Sequence, residues 1–163
     1  EALGAVRLRS DVERKRLHGE QAEAQAGQLD SGIYSQQASE ATYRHLHQLA
    51  TAALQAGFAV VIDAAYLKQS QRQAAWQAAE ATGVPFLILD CEAPEAVIAQ
   101  WLAQRQAEGT DPSDATMEVV RAQQASREPL SDSERLHSCR VQTQDAGSLD
   151  ELVANIRQRL PGL

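Results

Sequence analysis

Aromatic side chains, cysteines, lysines and long apolar runs are all scarce in this sequence, and each scarcity excludes something. Aromatics make up 4% of the 163 residues. Alanine, leucine and valine must therefore fill the core, and a broad aromatic binding face is not expected. Cys91 and Cys139 are the only cysteines. Two isolated thiols build no disulfide framework, which points to a reducing cytoplasm. No apolar run approaches the ~20 residues that span a bilayer, and no signal peptide is visible, so no membrane partner is expected. Lysine occurs only at Lys15 and Lys68, against thirteen arginines. Arginine is the better bidentate partner for phosphate, although genomic base composition produces the same bias. The formal charge of -7 opposes an extended nucleic-acid face, which wants a basic surface. It leaves room for a nucleotide or sugar held by a few local arginines. The chain opens on Glu1 rather than Met, and its true start is expected elsewhere.

What is present is a regular alternation of apolar patterns, in a chain long enough for one domain with its own core. Residues 1–4 read as the last turn of a helix, with Gly4 as its C′ residue. Residues 5–8 form a short strand. Ser10 caps a helix from Asp11 to about His18. Residues 19–33 are polar and glycine-containing, hence a loop. Ala38, Thr42, Leu46, Leu49, Ala53 and Ala56 form one stripe of a long helix stopped by Gly57. Residues 58–62 are a continuous apolar run ending at Asp63, the pattern of a parallel strand buried on both faces. A helix over 70–82 and a second such strand over 85–89, ending at Asp90, follow. Pro94 opens a helix with Val97, Ile98, Trp101 and Leu102 inward. Residues 108–129 are polar, with a helical centre near 115–125. Residues 140–143 make a weaker strand. Ser148 and Glu151 form a capping box for a last amphipathic helix carrying Leu149, Leu152, Val153, Ile156 and Leu160. Strands alternating with helices predict a parallel sheet with helices on both faces, and ligands there bind at the carboxyl ends of the strands.

Three groups of residues could carry chemistry. Asp11 and Arg14 share a face in the first turn of their helix, just after Arg9. A carboxylate there could take a proton from an acceptor hydroxyl, and the arginine could hold a phosphate. A helix start selects the same residues for capping and a surface ion pair. Asp63, after three apolar residues, has the placement of a carboxylate that organises magnesium through water, or of one that caps the next helix. Asp90 fits the structural alternative better. Arg105, Arg121 and Arg127 flank the polar segment 106–127, where a mobile cover could neutralise triphosphate charge; each is also an ordinary helix-surface arginine. The four histidines and two cysteines make no metal-ligand spacing. His45 and His47 point different ways on one helix, and the cysteines could neighbour one another across adjacent strands but read better as inert core cysteines. No Gly-x-x-x-x-Gly-Lys-Ser/Thr loop occurs, since neither lysine follows the required glycines.

The order of these pieces resembles the AAA-type P-loop kinases that include polynucleotide kinase and zeta-toxin-like kinases. It is closest to the C-terminal ATP-binding domain of bacterial proteins with a preceding aminoglycoside-phosphotransferase-like domain. Residues 7–17 (RLRSDVERKRL) and 126–130 (SREPL) carry most of that likeness, which covers nearly the whole chain. The resemblance implies a three-layer α/β fold: a P-loop NTPase-type parallel sheet with helices on both faces and strand order 2-3-1-4-5, here lacking the first strand and its phosphate loop. It also implies Asp11 as the base that activates the acceptor hydroxyl, Arg9 and Arg14 as residues that bind the acceptor or its phosphate, and Asp63 as the residue that serves magnesium or the acceptor. Arg105, Arg121 and Arg127 become lid residues, Arg105 and Arg121 binding ATP and Arg127, the best placed, acting as a catalytic residue.

The expected activity is ATP-dependent phosphoryl transfer to a hydroxyl of a small molecule or nucleotide. These 163 residues alone are expected to be inactive, because the loop supplies backbone N–H groups, the lysine and the magnesium-binding hydroxyl. Loss of the central strand would also leave two strand edges unpaired, so an upstream segment or a partner chain is expected to fill the gap. The alternatives are a non-catalytic nucleotide-binding or interaction module, and an ATP hydrolase on the same scaffold.

Overall fold

The computed structural model describes residues 3–18, 35–109, 111, 113, 115–144 and 148–160. Their order is β1 (Val6–Arg9), α1 (Ser10–His18), α2 (Gln36–Gln55), β2 (Val60–Asp63), α3 (Gln69–Thr82), β3 (Ile88–Glu92), α4 (Glu95–Glu108), α5 (Met117–Ser126), α6 (Asp132–Leu136), β4 (Ser138–Gln142) and α7 (Ser148–Arg159). The fold is α/β, with short parallel strands and helices on both sides, as the alternation predicts. The expected helix end at residues 1–4 and the loop at 19–33 lie outside the described residues, apart from Leu3 and Gly4. Gly4 has the φ of +60° that a C′ glycine uses. The Ser148 side chain, and with it the expected capping box, also lies outside them.

The strands form two parallel pairs rather than one sheet. β1 pairs with β2, running from Val6 opposite Val60 to Arg9 opposite Asp63. β3 pairs with β4, running from Ile88 opposite Ser138 to Glu92 opposite Gln142. Among the described residues no ladder joins the two pairs. In the order 2-3-1-4-5, removing strand 1 leaves these two adjacencies. The apolar run ending at Asp63 is not buried on both faces: Val61 and Asp63 are exposed while Val60 and Ile62 are half-buried.

The core centres on α2. Ser35 caps this helix by accepting from the Ala38 N–H, and its stripe buries Ala38, Thr42, Tyr43, Leu46 and Ala50. Thr42 returns its hydroxyl to the Ala38 carbonyl at 2.8 Å, so a polar side chain is buried without an orphaned group. Leu46 is fully buried. Leu46→Ala is expected to destabilise the domain by about 2–5 kcal/mol, read as a lower urea midpoint with unchanged slope. A shift under about 1 kcal/mol would show that α2 is not the core.

Two boundaries differ from expectation for physical reasons. The second apolar run ladders only from Ile88, because its partner begins at Ser138; Ile88 N–H donates to the His137 carbonyl at 2.8 Å. Residues 85–87 approach without pairing, and Phe86 stacks on Trp76 of α3 at 5.7 Å between centroids. Asp90 therefore sits inside β3, not at a strand end. The second difference is α6, which the sequence reading omits. Ser131 and Glu134 close a reciprocal capping box there, the Ser-x-x-Glu signature of a helix start. Farther on, Ile156 of α7 and Val141 of β4 are both buried, and Arg159 donates to the Ser138 carbonyl at 2.8 Å. The expected inner face of α4 is only half covered: Trp101 is exposed, and Val97, Ile98 and Leu102 are half-buried.

Candidate functional site

Arg9 and Asp63 end β1 and β2 in the same register, so the chain brings these two candidates together. Arg7 and Arg9 are two apart on one strand and face the same way, and both reach Asp63. Arg7 Nη2 donates to Oδ2 at 2.5 Å, and Arg9 Nε stands 3.5 Å from the same oxygen. Arg9 also grips Asp111, with Nη2 at 3.1 and 3.3 Å from the two carboxylate oxygens. Arg105 Nε lies 3.8 Å from Asp111. Partial burial works to raise the Asp111 pKa, but the Ser113 N–H, the Arg9 hydrogen bond and the Arg105 charge outweigh it and hold the carboxyl below its ordinary value. Asp111 is absent from the sequence reading. It is 102 positions from Arg9, and no local pattern marks it.

Asp11 and Arg14 follow at the start of α1, because Ser10 turns the chain from strand to helix without a connecting loop. Arg14 is buried, and its Nη1 donates to Ser39 Oγ of α2 at 3.3 Å. Both charges act on Tyr43, whose hydroxyl is pushed up chiefly by burial. Tyr43 Oη accepts the Tyr66 N–H at 3.0 Å. Tyr66, three residues past Asp63, has φ +46°, a conformation L-residues rarely adopt. Its own hydroxyl meets His47 Nε2 at 3.2 Å, and the Tyr43 and Tyr66 ring centres are 5.1 Å apart. Burial raises the Tyr66 pKa and lowers that of His47, so both are neutral near pH 7. His45 turns the other way, to Glu13 at 3.4 Å. Asp11, Arg14, Tyr43, Tyr66 and His47 thus make one polar–aromatic cluster, tied to the end of β2 through the loop that carries Tyr66. The sequence marks its acid and arginine through their shared helical face, but not the aromatic part.

The remaining candidates separate. Arg127 pairs with Asp90 of β3, a carboxylate whose side chain is 11% exposed. Arg121 pairs with Glu95 at the start of α4, at 2.6 Å and well exposed on both sides. Arg105, Arg121 and Arg127 thus answer three different carboxylates. The cysteines do lie on paired strands, offset by two positions, but Cys91 is exposed rather than in the core. Although its surface is reached by solvent, the protein packed around the thiol and the charges of Asp90 and Asp63 raise its pKa, so it stays protonated.

The donor set bounds what can be held. Among the described residues no group of three or more His, Cys, Asp or Glu could hold a metal ion. Asp63 offers one carboxylate, already paired with Arg7 and Arg9, so a magnesium there would have to displace those arginines and take its other ligands from water and nucleotide phosphate. The hydroxyl and lysine of a phosphate loop are not among these 163 residues. At the carboxyl ends of β1 and β2 the chain thus offers carboxylates and arginines, groups able to accept a proton and to hold a phosphate.

A family model described as "AAA domain" matches residues 1–130. A comparison with curated proteins finds no match. No helix among the described residues is long and apolar enough to cross a membrane.

Proposed function

Since the chain belongs to the AAA domain family, P-loop nucleotide-binding domains of kinase or ATPase type, we propose that it forms the acceptor side of an ATP-dependent kinase for a hydroxyl of a small molecule or nucleotide. One observation carries the reading: Asp11 and Arg14 stand at the carboxyl end of β1, in a cluster with Tyr43 and Tyr66 and beside Asp63. Asp11 accepts the proton of the acceptor hydroxyl as its oxygen bonds to the γ-phosphorus, and the bond to the β-phosphate oxygen breaks to release ADP. Arg14 and Arg9 orient the acceptor. Asp63 would hold magnesium in place of its Arg7 and Arg9 partners, and the metal would supply charge neutralisation at the phosphates. Arg105, Arg121 and Arg127 serve a lid over 106–129, exchanging their present carboxylate partners for phosphate. A strand and phosphate loop from outside these 163 residues complete the site, and a preceding aminoglycoside-phosphotransferase-like domain is the proposed neighbour.

The absence of a Gly-Lys-Ser/Thr loop from these residues favours a second reading, a non-catalytic nucleotide-binding module. Titration of the natural-length protein with MgATP, followed by ADP release with and without a panel of hydroxyl acceptors, separates the two. Acceptor-dependent release supports the kinase. Acceptor-independent release means a hydrolase, and binding without release means the module.

A further inference from the structure

Arg72 lies on α3, outside every candidate group, yet its side chain is almost wholly buried at 4% exposure. Its guanidinium touches five residues. Nε donates to Glu134 Oε1 at 2.7 Å and Nη2 to Oε2 at 3.2 Å. Nη1 donates to the carbonyls of Tyr66, Leu67 and Glu128 at 3.0, 3.4 and 3.3 Å, and Nη2 to that of Pro129 at 3.2 Å. Two segments about 60 residues apart in the chain are thereby fixed to one rigid fork. One is the loop that follows Asp63 and carries Tyr66. The other follows directly on Arg127. They also bond directly: Glu128 N–H donates to the Leu67 carbonyl at 2.8 Å, and the Gln69 N–H to Glu128 Oε2 at 2.6 Å. Glu134 is itself held by the Ser131 capping box.

We infer that Arg72 is a positioning residue that sets Arg127 against the acceptor loop, so that the lid root and the acceptor-binding cluster move as one unit. The kinetic form of this inference rests on the kinase reading above. A planar guanidinium is required because a lysine ammonium, with three donors on one atom, cannot span a carboxylate and carbonyls on both segments. A role confined to holding the fold together would lower the amount of active protein without linking Arg72 to Arg127.

The test is a double-mutant cycle in the natural-length protein, with R72K, R127A and the double variant. R72K is expected to lower kcat on the order of tenfold to a hundredfold, as small misplacements do, with the KM for ATP within about twofold. In the R127A background it is expected to lower kcat no further. Equal effects of R72K in both backgrounds, or none in either, overturn the inference. E134Q, which keeps the carboxylate's shape, replaces R72K in the cycle if that variant fails to fold, with the same expectations. Hydrogen exchange gives a readout independent of catalysis, so the inference and the kinase reading fail separately. R72K is expected to speed exchange at residues 66–69 and 127–131 together, and acceleration of one segment alone overturns the coupling even if no phosphoryl transfer is found.

Discussion

Replacing Asp11 with Asn in the natural-length protein is expected to lower acceptor phosphorylation by about 10²–10⁴-fold, the usual worth of a general base. MgATP affinity should stay within about twofold. Asn keeps the size and a hydrogen-bonding oxygen, so on the proposed function the acceptor should still dock near Arg14, but the amide cannot take the hydroxyl proton. The result belongs in kcat, because proton removal is realised in the transition state and not on binding. Asp11 is held in place by the protein itself: Ser10 starts the helix, and α1 lies against α2. Single-turnover phosphoryl transfer with saturating ATP and acceptor measures the step directly. Transfer within threefold of the unaltered protein would remove Asp11 from the mechanism.

The second large effect concerns Glu134. Removing one member of a buried ion pair leaves the other charge without its counterion, at about 3–5 kcal/mol, and Glu134→Ala does this to Arg72 inside the junction of α3 and α6. The same pair gives acid sensitivity. The Arg72 hydrogen bond is the main influence and holds the Glu134 carboxyl below its ordinary 4.5, with the Ser131 N–H helping and burial opposing. A carboxyl with a lowered folded-state pKa contributes stability that is complete above pH 4.5 and lost as the pH falls from there through the folded value. Urea melts from pH 7 to pH 3 should therefore show a loss between pH 4.5 and pH 3 that Glu134→Gln flattens. A Glu134→Ala variant as stable as the parent would mean that the junction contributes nothing.

The parts legible in the sequence are those with local causes. The α2 stripe is set by three- and four-residue spacing, and the placement of Arg9, Asp11 and Asp63 at strand ends follows from where apolar runs stop. Asp90 is misread because the start of β3 depends on where β4 begins, which is a property of the partner and not of residues 85–92. The five-residue α6 shows no periodicity, although its Ser131–Glu134 capping box is written in the sequence. The Arg72–Glu134 and Arg9–Asp111 contacts span 62 and 102 positions. Nothing in one segment names the other, so only the folded chain reveals them. Tyr66 is hidden for a different reason: its left-handed backbone is held by long-range hydrogen bonds to Tyr43 and Arg72, and a tyrosine carries no sign of it.

The separation of the strands into two pairs also bears on how these residues behave in solution. Among the described residues no strand ladder covers the outer margins of either pair, and Val61 and Phe58 are exposed on or just before β2. Such margins recruit copies of themselves at high protein concentration. The chain's excess of seven negative charges acts the other way, by mutual repulsion that fades as the Debye length shrinks from about 30 Å at 0.01 M salt to about 8 Å at 0.15 M. Colloidal behaviour is thus governed by ionic strength as much as by temperature: dilute, low-salt buffers hold molecules apart, and added salt removes the barrier while leaving the adhesive margins intact.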